Sequence, residues 1–226
     1  MKNHILIIGG MGPQASLKFH QLLLAQANHN DPDQYPLIVH ASLPIKDFIS
    51  DKQHELGAIL QINHALRKLH SSQANVVVIP CNTAHLLLPK LNLNKTDFVS
   101  IVDSVVDKIV KSQSKKVGIL ASPNTIKSKL YHSSLAKLGI ETVEPTQQQQ
   151  RILESIIRGV ISQSDTQLLA KKLNSVISTF DKNIVDCLVI GCTELSTLKV
   201  NAKVPVIDSL EQLAESAMLK YSESRL

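Results

Sequence analysis

Tryptophan is absent from this 226-residue chain, and its aromatic residues amount to four phenylalanines and three tyrosines. With so few stacking side chains, no clustered stripe of lysine and arginine and no recognisable module, the net charge of +5 does not read as a nucleic-acid surface. The lysines are scattered as on a solvated face, and the positive charge instead favours approach of an anionic small molecule. No apolar run nears the ~20 residues that cross a bilayer, so no membrane association is expected. The opening Met1-Lys2-Asn3-His4, followed by Ile5–Ile8, is too short for the apolar core of a signal peptide and lacks a small-residue cleavage site. It reads as the first β-strand of a cytoplasmic protein. Only three cysteines are present, none in a C-x-x-C pair, which excludes a disulfide framework. His4, His20, His54, His64, His70 and His132 show no ligand spacing with those cysteines, so no metal site is expected.

What is present is the apolar content of an ordinary globular chain, 43% hydrophobic and 19% charged. Continuously apolar, β-branched runs predict strands at Ile5–Ile8, Leu37–His40, Asn75–Ile79, Phe98–Val102, Lys116–Leu120, Glu141–Val143, Asp186–Ile190 and Pro205–Ile207. Helical stripes lie between them. Ala15, Phe19, Leu22 and Leu23 form one; Leu56, Ile59, Leu60 and Leu66 another, broken by polar Asn63; Leu169, Leu173, Val176, Ile177 and Phe180 a third. The alternation predicts an α/β fold built on mainly parallel sheet. The glutamine tract Gln147–Gln150 opens a helix rather than a disordered segment, with Thr146 as N-cap and Gln149 completing a capping box.

The chain also repeats itself. Ile5–Gly10 resembles Val117–Ser122, Val78–Thr83 resembles Val189–Glu194, and Ile101–Ser104 resembles Val206–Ser209. Ile5 and Val117 lie 112 positions apart, Cys81 and Cys192 111, and Asp103 and Asp208 105. Three matches in one order at nearly one offset predict two pseudo-symmetric domains, each a mainly parallel sheet flanked by helices, with a shared cleft between them. The expected division is residues 1–97 plus 206–226 against residues 98–205, the final helix returning to the first half.

Both cysteines follow a buried strand and precede small polar residues, in Pro80-Cys81-Asn82-Thr83 and Gly191-Cys192-Thr193-Glu194. In open α/β sheets that strand end is where ligands bind. Helix-entry N–H groups there would favour an anion and lower a thiol pKa. Each motif alone is equally well a capped helix start beside a buried thiol. Two thiols at equivalent places would face each other across the cleft, as a two-base racemase requires: one removes the α-proton and the other donates from the opposite face. A disulfide between them is the competing reading, disfavoured in a cytosolic chain. Cys187, inside an apolar run, reads as a small hydrophobe.

The turn Gly9-Gly10-Met11-Gly12-Pro13 formally fits a dinucleotide fingerprint, but the next strand, Leu37–Ser42, ends without the acidic residue that reading needs. No nicotinamide or flavin is expected. The turn could bind a substrate carboxylate through its N–H groups, with Met11 beside it. Ser122 and Thr125 occupy the equivalent turn, either to hold a carboxylate or to cap a helix. His85 and Glu194 either tune the thiols or sit on a helix surface.

Taken together, Ile7–Pro13, Cys81–His85, Gly191–Leu195 and Val206–Asp208 resemble the aspartate/glutamate racemase family, the aspartate racemase branch in particular, in the family's order over nearly the whole chain. The resemblance implies pyridoxal-independent racemisation by Cys81 and Cys192, an amino-acid substrate, no cofactor, and commonly a homodimer. It also implies that Asn82, Thr83 and Thr193 contact the substrate carboxylate and amino groups, and Met11, Ser122, Thr125, Glu194 and Lys46 join that substrate-binding set as candidates. Two departures concern the substrate side chain. Where the branch reads Pro-Asp-Arg-Thr this chain has Lys46-Asp47-Phe48-Ile49, and where it reads Gly-Val-Lys this chain has Gly159-Val160-Ile161. The missing cations would clamp the side-chain carboxylate of aspartate, and Lys46 and Arg158 are the nearby replacements.

Overall fold

The computed structural model describes residues 4–27, 35–46, 48, 52–69, 74–93 and 97–224. The chain divides into two compact units, Met1–Ile101 with Leu213–Leu226, and Val102–Gln212. The first contains strands β1 (His4–Gly9), β2 (Leu37–Ser42), β3 (Ala74–Val78) and β4 (Phe98–Val99), with helices α1 (Pro13–Gln26) and α2 (Glu55–Leu69). Helix α3 (Ile101–Lys111) leads into β5 (Lys116–Ala121), α4 (Pro123–Lys127), α5 (His132–Lys137), β6 (Glu141–Val143), α6 (Gln147–Ile161), α7 (Thr166–Ile177), β7 (Cys187–Gly191), β8 (Val206–Asp208) and α8 (Ser209–Glu223). Among the described residues no helix is long and apolar enough to cross a membrane.

Both sheets are four-stranded and wholly parallel, and both have the same order: β2-β1-β3-β4 and β6-β5-β7-β8. The repeat in the sequence is therefore a repeat of topology. Strands β1 and β7 are buried at every residue, as strands covered on both faces must be. In each unit the winding reverses beside the first strand, between β1 and β3 and between β5 and β7. This topological switch point opens a crevice at the carboxyl ends of the strands.

Local chemistry explains the helices. Thr146 Oγ1 accepts from the Gln149 N–H at 3.3 Å while Gln149 Oε1 accepts from the Thr146 N–H at 2.7 Å, so the glutamine tract starts α6 through the expected capping box. Three details differ from expectation. The run Phe98–Val102 is not one strand: only Phe98–Val99 pairs, and Ile101 begins α3, whose Ile101, Val102, Val105, Val106 and Ile109 make a buried helical stripe. Phe98–Val99 pairs with β3 in the first sheet and Val206–Asp208 with β7 in the second, so each edge strand lies across the boundary expected at 97/98 and 205/206. On α2 the core face is Ala58, Ile59, Ile62, Ala65 and Leu66, while Leu56 and Leu60 are 65% and 61% exposed. Alanines fill the space against the sheet, where a stripe drawn from leucines alone points to the wrong face.

Candidate active site

At the end of β1 the chain must turn tightly into α1. A Cβ on Gly10, whose φ is +95°, would lie 2.1 Å from the Leu43 carbonyl oxygen, so only glycine fits this close approach. Ser16 ties the turn together: its Oγ accepts from the Gly10 N–H and donates to the Gly12 carbonyl, each at 3.1 Å. Pro13 then starts α1, at a position that has no need of an N–H. Met11 turns inward and shares one buried apolar cluster with Cys81, Ala84 and Phe48.

Cys81 follows β3 at the same switch point. It is in no disulfide and is buried, with 5% of the residue exposed, and its N–H donates to the Ile79 carbonyl at 2.8 Å. The next residues form a 3₁₀ helix, Thr83–Lys90, entered through Asn82 in helical geometry without a side-chain cap bond. Asn82, Thr83 and His85 are all buried. His85 is therefore no helix-surface group. The Ile101 N–H donates to its Nε2 at 3.0 Å, which leaves the proton on Nδ1 to bond the Cys81 carbonyl at 2.9 Å. Burial holds this neutral imidazole down to about 4, the carbonyl bond only partly opposing it. His85 thus fixes the backbone of Cys81 against the start of α3.

The second unit repeats the construction with different side chains. Ala121 and Gly191 pair across β5 and β7, so Ser122 and Cys192 leave the sheet side by side. Ser122 Oγ accepts from the Thr125 N–H at 3.3 Å and lies 3.0 Å from Thr125 Oγ1, and both residues are buried. The capping role of Ser122 is thus realised in this structure. Cys192 is in no disulfide and the residue is 6% exposed. Its Sγ donates to Glu194 Oε2 at 3.1 Å, and Thr193 Oγ1 lies 3.5 Å from the same oxygen. Burial pushes the Glu194 carboxyl above its usual range, with the bonds from Cys192 and Thr193 pulling it back. Beneath lies Tyr131, fully buried, whose Cε2 would be 3.1 Å from a Cβ on Gly191. Burial raises the Tyr131 phenol. It also pushes Asp208 up to about 6, although Ser196 Oγ donates to Asp208 Oδ1 at 2.8 Å.

Spacing alone missed two residues. Asn63 Nδ2 donates to the Lys90 carbonyl at 3.2 Å and its Oδ1 accepts from the Asn92 N–H at 2.7 Å, clamping the end of the 3₁₀ segment after Cys81. Asn174 does the same after Cys192, with bonds to the Lys199 carbonyl at 2.9 Å and from the Asn201 N–H at 2.7 Å. Asn63 and Asn174 are 111 positions apart, the offset of the cysteines, and that offset was the signal available in the sequence.

The replacement cations stand differently. Lys46 is exposed beyond β2, and its neighbours Asp47 and Ile49 lie outside the described residues. Arg158 is held on the surface of α6 by Glu154, with Nη2 at 2.8 Å and Nε at 3.1 Å from one carboxylate oxygen. Cys187 is buried as expected, and burial raises its thiol. No group of three or more His, Cys, Asp or Glu side chains among the described residues is placed to hold a metal ion.

Known proteins place this construction. The chain is 27% identical to the broad specificity amino-acid racemase RacX of Bacillus subtilis over 95% of its length and 96% of that protein's. It superposes on the aspartate racemase of Picrophilus torridus with a TM-score of 0.86 and 28% identity, covering 98% of this chain and 95% of that one. A glutamate racemase of Bacillus anthracis, isoform RacE1, shares the fold alone, with a TM-score of 0.69 at 17% identity over 99% of this chain and 83% of that one. The family model for Asp/Glu/hydantoin racemases matches residues 8–217, and the chain belongs to that family.

Proposed function

We propose that this chain is a cofactor-independent amino-acid racemase in which Cys81 and Cys192 are the paired acid and base, with aspartate or a related acidic amino acid as substrate. The observation that carries the reading is the duplicated thiol: a buried cysteine, in no disulfide, at the switch point of each of two sheets of identical order. Inverting an α-carbon needs a proton taken from one face and delivered to the other. One thiolate accepts the α-proton and becomes a thiol, while the other thiol protonates the opposite face and becomes a thiolate. Charge is conserved and no electron sink is consumed. A thiol suits both roles because its ordinary pKa, about 8.5, lies close to neutrality. Asn82, Thr83 and Thr193 hold the substrate carboxylate and amino groups in this reading, with Met11, Ser122 and Thr125 at the neighbouring turns and Lys46 toward the side chain. The protein acts as a homodimer in the cytoplasm.

A second reading keeps the chemistry and widens the substrate to neutral amino acids. It is favoured by Phe48, buried in the apolar cluster of Cys81 where the aspartate branch has arginine, and by the engagement of Arg158 with Glu154. The similarity to a racemase of broad specificity points the same way. Incubation with single L-amino acids in D2O, followed by NMR of the α-proton, separates the readings. Loss of the α-proton signal of aspartate, with appearance of the D-enantiomer, is expected. Exchange of a neutral amino acid without aspartate selects the second reading, and exchange of none refutes both.

A further inference from the structure

Asp208 ends β8, and β8 pairs with β7 so that Asp208 stands in register with Ile190, two residues ahead of Cys192. Its Oδ1 gathers three donors: the Leu210 N–H at 2.8 Å, the Glu211 N–H at 3.3 Å and the Ser196 hydroxyl at 2.8 Å. The first two bonds cap α8, as an aspartate ahead of a helix does. The third reaches the cysteine segment, because Ser196 is the fourth residue after Cys192 and lies in the turn Leu195–Thr197. That turn closes back on the cysteine, with the Leu195 N–H donating to the Cys192 carbonyl at 3.0 Å. Ser209, the first residue of α8, is hydrogen-bonded to the buried Tyr131 phenol, and the Tyr131 ring packs against Gly191. Asp208 and Ser209 therefore hold the segment on both sides of the thiol, at Ser196 directly and at Gly191 through Tyr131. The first unit is tied at the equivalent point. His85 is the fourth residue after Cys81, and its Nε2 accepts from the N–H of Ile101, the first residue of α3. His85 and Ser196 are 111 positions apart, the offset of the two cysteines. Each cysteine segment is thus tied to the start of the helix that follows the last strand of its sheet, by an imidazole in one unit and by a hydroxyl on a carboxyl group in the other.

We infer that Asp208, acting through Ser196, is a positioning residue that fixes the Cys192 thiol for proton transfer to and from the α-carbon. The consequence for catalysis rests on the racemase reading. Proton transfer needs the sulfur within reach of one face of the α-carbon, and a misplacement of about 1 Å costs up to about 10²-fold in rate. Ser196 sits on a short turn whose other end is the cysteine, so its displacement is passed to the sulfur over four residues. Asp208 is a firm anchor for that turn, because it cannot shift without also giving up the two cap bonds of α8. The chemistry at the thiol is unchanged by the tether. The S–H bond of Cys192 breaks as its proton passes to carbon in one direction of racemisation, and forms as the thiolate takes the α-proton in the other.

Ser196→Ala removes the tether and leaves both α8 cap bonds to Asp208 in place. The full-length variant and wild type are compared in both directions of racemisation, with α-protonated and α-deuterated enantiomers. The expected result is a kcat lower by about 10- to 100-fold with KM little changed. The primary isotope effect rises in one direction only, the one in which Cys192 removes the α-proton; mere loss of folded protein would move neither. Asp208→Asn, which keeps an acceptor oxygen at the same place, recovers what Asp208→Ala loses. Labelling with iodoacetamide, followed by peptide mass spectrometry, reads the same segment without turnover. The ratio of Cys192 to Cys81 modification is expected to rise about fivefold or more in Ser196→Ala, the equivalent of one lost hydrogen bond. An unchanged labelling ratio overturns the inference, as do isotope effects unmoved in both directions, or an Asp208→Asn variant as impaired as Asp208→Ala. Should Ser196→Ala fail to fold, Asp208→Asn decides, and a labelling ratio raised there by about fivefold overturns the inference. Failure of the racemase reading is a separate result, seen as no racemisation by the wild type, and the labelling ratio then judges the tether by itself.

Discussion

His85 shows how one buried side chain shapes both the site and the stability of the fold. Its imidazole titrates near 4 in the folded protein against an ordinary 6.5, chiefly because burial disfavours the cation. Between those values the unfolded chain binds more protons than the folded one. The His85 contribution is therefore complete above about pH 6.5 and is lost as the pH falls through 4, a window worth on the order of 3 kcal/mol. Asp208, raised to about 6, has the opposite sign: its contribution is present below its ordinary 3.8 and is lost as the pH rises through 6. The two must be separated by comparing variants rather than by following the wild type alone. His85→Gln is expected to be clearly less stable than wild type in urea unfolding at pH 7.5, with the gap narrowing by roughly 2 kcal/mol toward pH 4.5. A gap independent of pH would mean that His85 is not held neutral by burial. The burial of His85 was not legible from spacing, because its partners are backbone groups, one of them on the far side of β4.

At the level of elements, the recurring unit is a strand, a cysteine, a short 3₁₀ turn and an asparagine clamp from the preceding helix. Asn63 and Asn174 each satisfy one backbone carbonyl and one backbone N–H at the end of that turn. Removing either side chain strips two bonds from a partly exposed segment. Asn63→Ala and Asn174→Ala are each expected to cost about 1–2 kcal/mol by urea unfolding, Asn174→Ala toward the upper end because its Nδ2 also donates to the Ala170 carbonyl at 2.9 Å. A large cost in one and none in the other would show that the clamps are not equivalent. Strand positions and the α6 capping box were legible, since continuous apolar runs and a Thr-x-x-Gln spacing carry their own chemistry. Helix faces and edge strands were less so. Alanine carries little hydrophobic signal, which concealed the true core face of α2, and the β-branched pair Ile101-Val102 serves a buried helical stripe as well as a strand. Two-residue and three-residue edge strands show their sheet only through pairing partners distant in sequence.

For the whole molecule, a glycine turn, two cysteine motifs and a late aspartate at nearly one offset were enough to anticipate two parallel sheets of one design and a racemase family. The surroundings of each thiol were less accessible, because they depend on side chains such as Glu194 whose direction spacing cannot supply. The substrate side chain is the least determined by sequence: the expected arginine position holds Phe48, and Arg158 is engaged with Glu154. The central claim, that Cys81 and Cys192 are the two bases, is tested most directly by chiral chromatography of the best amino-acid substrate with wild type, Cys81→Ser and Cys192→Ser. Loss of a general acid–base group lowers rates by about 10²–10⁴-fold, and each single serine variant is expected to lose racemisation by at least that much while remaining folded. Full racemase activity retained in either variant would contradict the account.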